Sequence, residues 1–106
     1  MKILWTRFAE SQLDEIYEYM YNKNPYIAAD IYNDILDESA MLANFPQIAA
    51  IEPLLSKYKE EYRSLVVRRN YKVIYYIDSE KTIYVVGVFD CRQNPKELKY
   101  IIKRNQ

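Results

Sequence analysis

The chain has 106 residues, with 15 Lys and Arg against 15 Asp and Glu, so its formal net charge is zero. Half of the residues are hydrophobic, which excludes a disordered chain, and no apolar run approaches the roughly 20 residues of a membrane-spanning helix. One cysteine, Cys91, and no histidine exclude an internal disulfide, a Cys/His zinc site and every mechanism that needs an imidazole.

This length predicts one domain over residues 1–106, built on one core. The N-terminus, Met1–Lys2–Ile3–Leu4–Trp5–Thr6–Arg7, lacks the apolar stretch of a signal peptide, so the chain reads as soluble and cytoplasmic, with no membrane partner. The zero net charge is a cancellation. Residues 1–61 carry 5 basic and 11 acidic side chains, a balance of −6. Residues 62–106 carry 10 basic and 4 acidic ones, a balance of +6. Such asymmetry points to partners.

Ile3–Trp5 suits a short strand. Thr6 then caps a helix in which Ala9, Leu13, Ile16, Tyr17 and Met20 recur at helical period as one apolar face. Asn22–Lys23–Asn24–Pro25 breaks it, and Asn24 with Pro25 starts a second helix whose buried face is Ala28, Ile31, Ile35 and Leu42. That helix ends near Phe45–Pro46, which makes the pair an antiparallel hairpin. Residues 47–61 show no period and read as a loop, with a helical turn around Leu54–Lys57. Tyr62–Arg69, Tyr71–Asp78 and Thr82–Phe89 are rich in Val, Ile and Tyr and predict an antiparallel three-stranded meander, turning at Asn70 and at Ser79–Lys81. Gly87, the only glycine, marks a bulge or a close approach inside the last strand. Pro95 opens a final helix with Leu98, Ile101 and Ile102 on its apolar side. The expected order is β-α-α-β-β-β-α, an α+β domain with its helices on one sheet face.

The basic half holds the candidate chemistry. On the predicted strands Arg63 and Arg69 share the parity of Leu65 and Val67, Arg68 that of Tyr62, Ser64 and Val66, and Lys72 that of Ile74 and Tyr76; an uncovered sheet face would gather Arg or Lys side chains of one parity into a concave site for an anion, and Arg92 follows the last strand. The alternative is a charged face that guards the sheet against pairing. Among twelve tyrosines, Tyr62, Tyr71, Tyr76 and Tyr100 lie in this half and are candidates for stacking on unpaired bases; otherwise they serve as amphipathic core and rim residues. Asp90 is expected to cap the terminal helix, with a general base or an orienter of Arg92 as alternatives. Cys91 has no histidine to activate it and reads as a packed residue. Asp14–Glu15 and Asp37–Glu38 look like solvated helix faces rather than metal ligands. No Gly-rich phosphate loop is present, and no metal or cofactor is expected.

Three stretches resemble the RelE/ParE superfamily of type II toxin–antitoxin toxins, also called the plasmid stabilisation family. They are the hairpin from Asn24–Pro25–Tyr26–Ile27–Ala28 to Leu42–Ala43–Asn44–Phe45–Pro46, the pair of segments Tyr62–Val67 and Asn70–Tyr76, and Val85–Val86–Gly87–Val88–Phe89–Asp90–Cys91–Arg92–Gln93–Asn94–Pro95. They follow the family's order over almost the whole chain.

The resemblance implies a growth-inhibiting toxin with a cognate antitoxin, touching operator DNA only through that antitoxin. Its target would be DNA gyrase, as for ParE-like members, or ribosome-bound messenger RNA, as for RelE-like nucleases. Lys72 stands where the nucleases usually carry a phosphate-stabilising arginine, and a lysine lacks the planar two-point fork. As a nuclease the chain would use Lys72, Arg92 and Arg63 on the phosphate, with Glu61 or Asp90 as base. Binding would fall to Arg68, Arg69, Tyr71 and Tyr100. The acidic helices and the missing histidine favour the ParE-like reading over the nuclease. A third reading is a non-toxic, antitoxin-binding corepressor.

Overall fold

The computed structural model describes residues 1–105. Its elements run β1 (Lys2–Trp5), α1 (Arg7–Tyr21), α2 (Pro25–Ala40), β2 (Ala50–Ile51), β3 (Arg63–Val67), β4 (Tyr71–Ile77), β5 (Thr82–Asp90) and α3 (Leu98–Arg104). Both hairpin helices start where their caps predict. Thr6 Oγ1 accepts from the Ala9 amide at 3.1 Å, and Asn24 Oδ1 accepts from the amides of Tyr26 and Ile27. These bonds satisfy backbone donors that the first helical turn leaves without partners. A 3-10 turn at Met41–Ala43 continues α2 as far as Leu42, which is fully buried.

The sheet has five strands in the order β1-β5-β4-β3-β2. The expected meander β3-β4-β5 is antiparallel, and β1 lies parallel to β5 at one edge. Two details depart from the sequence reading. Residues 47–61 hold the expected helical turn, as a 3-10 turn at Pro53–Leu55, but also the unexpected short strand β2, because a two-residue strand has too few side chains to display a period. Strand β3 ends at Val67, and the turn is Arg68–Arg69–Asn70, with positive φ at both arginines.

The larger correction concerns the faces of the sheet. Alternation sends Tyr71, Val73 and Tyr75 of β4 to one side, where Ala9 and Leu13 of α1 and Ile31 and Ile35 of α2 cover them. Ile74, Val86 and Phe89 point to the other side, and Leu98, Ile101 and Ile102 of α3 cover those, with Leu55 beside them. The helices therefore pack on both faces, and no open concave face remains along the middle of the sheet. Each fully buried aliphatic side chain contributes about 1.5–3 kcal/mol, which is why α3 closes down on this apolar row.

A bulge in β5 shifts which of its residues face each side. Ile74 pairs with Gly87 and Tyr75 with Val85, leaving Val86 as the extra residue. The Val88 amide donates to Gln12 Oε1 of α1 at 2.9 Å. A Cβ on Gly87 would lie 2.6 Å from Ile101 Cγ2 and 2.7 Å from Gln12 Oε1. Both sequence readings of Gly87, bulge and close approach, hold together.

No described helix is long and apolar enough to cross a membrane.

Candidate functional site

A cleft of about 660 Å³ opens between the outer half of α1 and the exit of β5. One wall is Gln12, Glu15, Ile16 and Tyr19 of α1 with Lys23 just beyond its end, and the sheet wall holds Tyr71, Asp90 and Arg92. Arg92 is the basic side chain there with the most hydrogen bonds. Its Nε donates to Asp90 Oδ1 and its Nη2 to Asp90 Oδ2, each at 2.9 Å, and Nη2 also reaches the Tyr71 hydroxyl at 3.0 Å. The Arg92 backbone amide binds the same Asp90 Oδ1. The guanidinium lies 5.6 Å from the Tyr71 ring centroid. A planar fork held at both ends on one carboxylate loses little freedom when it meets a partner.

Burial by itself would raise the Asp90 carboxyl, but hydrogen bonds from the Arg92 side chain and amide outweigh it and hold the group below its ordinary range. In return Asp90 keeps Arg92 protonated more firmly than a free guanidinium. Asp90 is thus an orienter. The cap of the C-terminal segment is Asn94, whose Oδ1 accepts from the Lys96 amide at 3.0 Å. Across the cleft, Lys23 Nζ stands 4.4 Å from the Tyr19 ring centroid. A hydrogen bond and the charge of Lys23 lower the Tyr19 phenol. Sequence reading passed over Gln12, Tyr19 and Lys23; the signal was a polar stripe at i, i+7 and i+11 through Ile16.

The other predicted residues go elsewhere. Lys72 points to the α3 side, where its Nζ donates to Glu52 Oε1 at 2.6 Å. Glu52 is buried, accepts from Ser64 Oγ at 2.8 Å, and caps its own turn through the Leu54 amide. Its burial raises the carboxyl pKa, yet the bonds from Lys72, Leu54 and Ser64 bring it below the ordinary value. Arg63 shares the parity of Leu65 and Val67, opposite to Lys72, and donates to the Ala49 carbonyl at 2.7 Å and to Glu61 at 3.2 Å. Arg68 pairs with Asp34 of α2 at 2.8 Å, and Arg69 is exposed on the turn. Tyr100 is half-exposed on α3. Tyr62, Tyr76 and Tyr84 form an aromatic row on the α3 side, with centroids 5.4–5.5 Å apart. Desolvation raises the Cys91 thiol, which leaves it protonated at neutral pH. Among the described residues, no cluster of three acidic or cysteine side chains is placed to hold a metal ion.

Arg63, Lys72 and Arg92 therefore do not converge. They occupy the β2 edge, the α3 face and the α1 cleft, and each already has its own oxygen partner.

The family model for the ParE toxin of the type II toxin–antitoxin system, parDE, matches residues 3–95. The chain belongs to the ParE toxin family. The matched span contains both helices of the hairpin, β1 from Ile3 onward, the other four strands and the whole cleft. This ParE-family chain is also similar in structure to a chain of the chromosomal ParDE TA system from P. aeruginosa. The TM-score is 0.71 at 24% identity, covering 85% of this chain and 95% of the other, a likeness of fold. No curated protein matches the ParE-family chain by sequence. Membership of a toxin–antitoxin family implies an antitoxin as partner.

Proposed function

We propose that this ParE-family toxin inhibits growth in the cytoplasm by binding DNA gyrase, and that its cognate antitoxin neutralises it by binding the toxin. The observation that carries this reading is the separation of the cations. Metal-free RNA cleavage requires positive charge converging on one phosphate, a free base and an acid. Here Glu52 holds Lys72, Asp90 holds Arg92, and backbone carbonyls hold Arg63, on three different parts of the surface. A pre-ordered Arg92 beside a tyrosine-lined cleft supports protein recognition instead, since aromatic and arginine side chains dominate such contacts. In this reading Arg92, Tyr71, Arg68 and Arg69 bind partners, Tyr100 adds an exposed ring on α3, and Lys72 acts through Glu52 on stability.

The deciding experiment adds purified toxin to gyrase and follows supercoiling. Loss of supercoiling is expected, and gyrase that works normally at saturating toxin sinks the reading. Ribosomes programmed with a defined message are expected to leave that message intact; cuts in the A site would favour a nuclease. Expression without the antitoxin is expected to arrest growth, and unimpeded growth would point to a corepressor.

A further inference from the structure

The segment that leads into β2 and out of it is chemically unlike the rest of the chain. Residues 39–51 form the longest stretch without a charged side chain, in a protein that is 28% charged. Glu52, the one charge before Lys57, is buried on Lys72. Phe45, Ile48, Ile51 and Leu54 are nevertheless 48–63% exposed. Neutral, apolar surface of this kind marks a contact rather than a solvated face. The segment is also held in place. The Tyr75 hydroxyl donates to the Pro46 carbonyl and Arg63 Nη1 to the Ala49 carbonyl, each at 2.7 Å, so docking costs little ordering.

Strand β2 stands last in the sheet order β1-β5-β4-β3-β2, so one of its sides is open. Its pairing with β3 decides which backbone groups lie there. Ala50 stands opposite Ser64 and Ile51 opposite Arg63, and the Glu52 amide donates to the Tyr62 carbonyl. Groups in an antiparallel ladder alternate, so Ala50 and Glu52 turn towards β3 while the Ile51 N–H and C=O turn outward. A donor and an acceptor on one residue are what a two-fold axis needs. Ile51 of two copies can exchange both bonds as one antiparallel pair. Pro53 has no N–H and opens a 3-10 turn, which keeps the pairing short.

We propose that the β2 edge is the docking face for a second copy of this chain, paired antiparallel about a two-fold axis at Ile51. Charge favours a copy over a different partner. In an isologous contact each patch meets itself, so a patch with net charge repels its own image. The β2 edge escapes this, because the nearest ionic groups, Arg63 and Glu61, form their own pair at 3.2 Å. The acidic α2, with Asp30, Asp34, Asp37 and Glu38, does not. At roughly 200 Å² for a large side chain, the four exposed residues offer on the order of 400 Å² per copy, the small end of specific interfaces. The dimer is therefore weak and reversible. Such pairing is independent of the target that the toxin binds.

Sedimentation velocity of the purified toxin between about 1 and 100 μM tests this. Wild type is expected to pass from monomer to dimer across that range. Ile51→Lys and Ile51→Glu each set like charges opposite one another at the axis and should weaken dimerisation at least about tenfold. Mixed in equal amounts, the two variants should regain it, because lysine then faces glutamate. Ile51 is half-exposed, so both variants should keep the wild-type melting temperature at low concentration. In the wild type itself, the Ile51 amide should exchange with solvent more slowly as concentration rises. A wild type that stays monomeric overturns the proposal, as does a dimer indifferent to Ile51→Lys or a mixture that stays monomeric. Exchange at Ile51 that ignores concentration overturns it even if a variant fails to fold. If wild type is monomeric and Ile51→Lys weakens antitoxin binding instead, the face belongs to the antitoxin and the proposal is likewise overturned.

Discussion

Among the described residues, Lys72 and Glu52 form the one ion pair in which a carboxylate is almost wholly buried: the Nζ–Oε1 distance is 2.6 Å and the Glu52 side chain is 1% exposed. Ser64 also donates to Oε1 and the Leu54 amide donates to Oε2, so both carboxylate oxygens have donors. Removing one partner leaves a buried charge or an unsatisfied oxygen. Lys72→Met is expected to lower the unfolding free energy by about 2 kcal/mol, and Glu52→Ala by about 3 kcal/mol. The double variant should lose less than the sum, because each single change already breaks the pair. Urea denaturation of the four proteins measures all three quantities; additive losses would contradict the pairing.

The same network sets an acid limit. Glu52 and Asp90 both have folded-state values below their ordinary 4.5 and 3.8. A depressed folded value stabilises the protein above the unfolded value, and that stability disappears as pH falls through the folded one. Unfolding free energy should therefore decline as pH drops below about 4.5, the ordinary value of the glutamate. Glu52→Gln should flatten that decline, since glutamine does not titrate. A pH series of denaturation curves with unchanged slope in the variant would contradict the assignment.

Asp90 and Arg92 make a sharper titration experiment. Burial pushes the Asp90 carboxyl up and Arg92 pulls it down, with Arg92 the stronger. In Arg92→Ala the upward push remains, opposed only by the backbone amide of residue 92. The Asp90 midpoint, read from its carboxyl carbon by NMR, is expected to rise from its place below the ordinary 3.8. A midpoint that stays low in the variant would mean that another group orders this carboxylate.

At the alkaline end Tyr62 is pushed up to about 12, first by its burial and then by Tyr76 and Glu60. A raised folded value stabilises the protein fully below the unfolded value near 10, and this is lost as pH rises towards 12. Absorbance titration should show the last phenol ionising near pH 12 in step with unfolding. Tyr62→Phe is expected to remove that phase; its persistence would assign it to another tyrosine.

Gly87 tests the three-layer packing. Ile101 is buried, so its Cγ2 and Cδ1, at 2.6 and 2.8 Å from an added Cβ, have little room to retreat. Gly87→Ala is expected to cost about 1–3 kcal/mol of stability by overpacking. Adding Ile101→Ala should make the Gly87→Ala cost shrink, because the clashing methyls are gone. Equal costs in both backgrounds would place the strain elsewhere.

Periodicity, caps and turn residues are local properties, and they determined a great deal by themselves. Thr6, Asn24 and Pro25 mark the helix starts because capping needs only neighbouring amides. The alternation in residues 71–77 marks β4, and the hairpin, the segments Tyr62–Val67 and Asn70–Tyr76, and the run Val85–Pro95 carried the family resemblance. Residue order also determined that negative charge goes mainly to the helices and positive charge to the sheet and last helix. Tertiary structure alone decided which charges meet. Lys72 and Glu52 lie twenty residues apart, and no sequence spacing reveals that a two-residue strand and a 3-10 turn bring them together. The bulge at Val86 shifts the parity of β5 by one, which decides which residues face α1 and which face α3. Side-chain pairing over such distances depends on register and packing, so the zero net charge read at the outset could not tell a gathered basic site from cations held apart. In the folded protein three of the predicted cations are held apart, each by its own oxygen, on different parts of the surface.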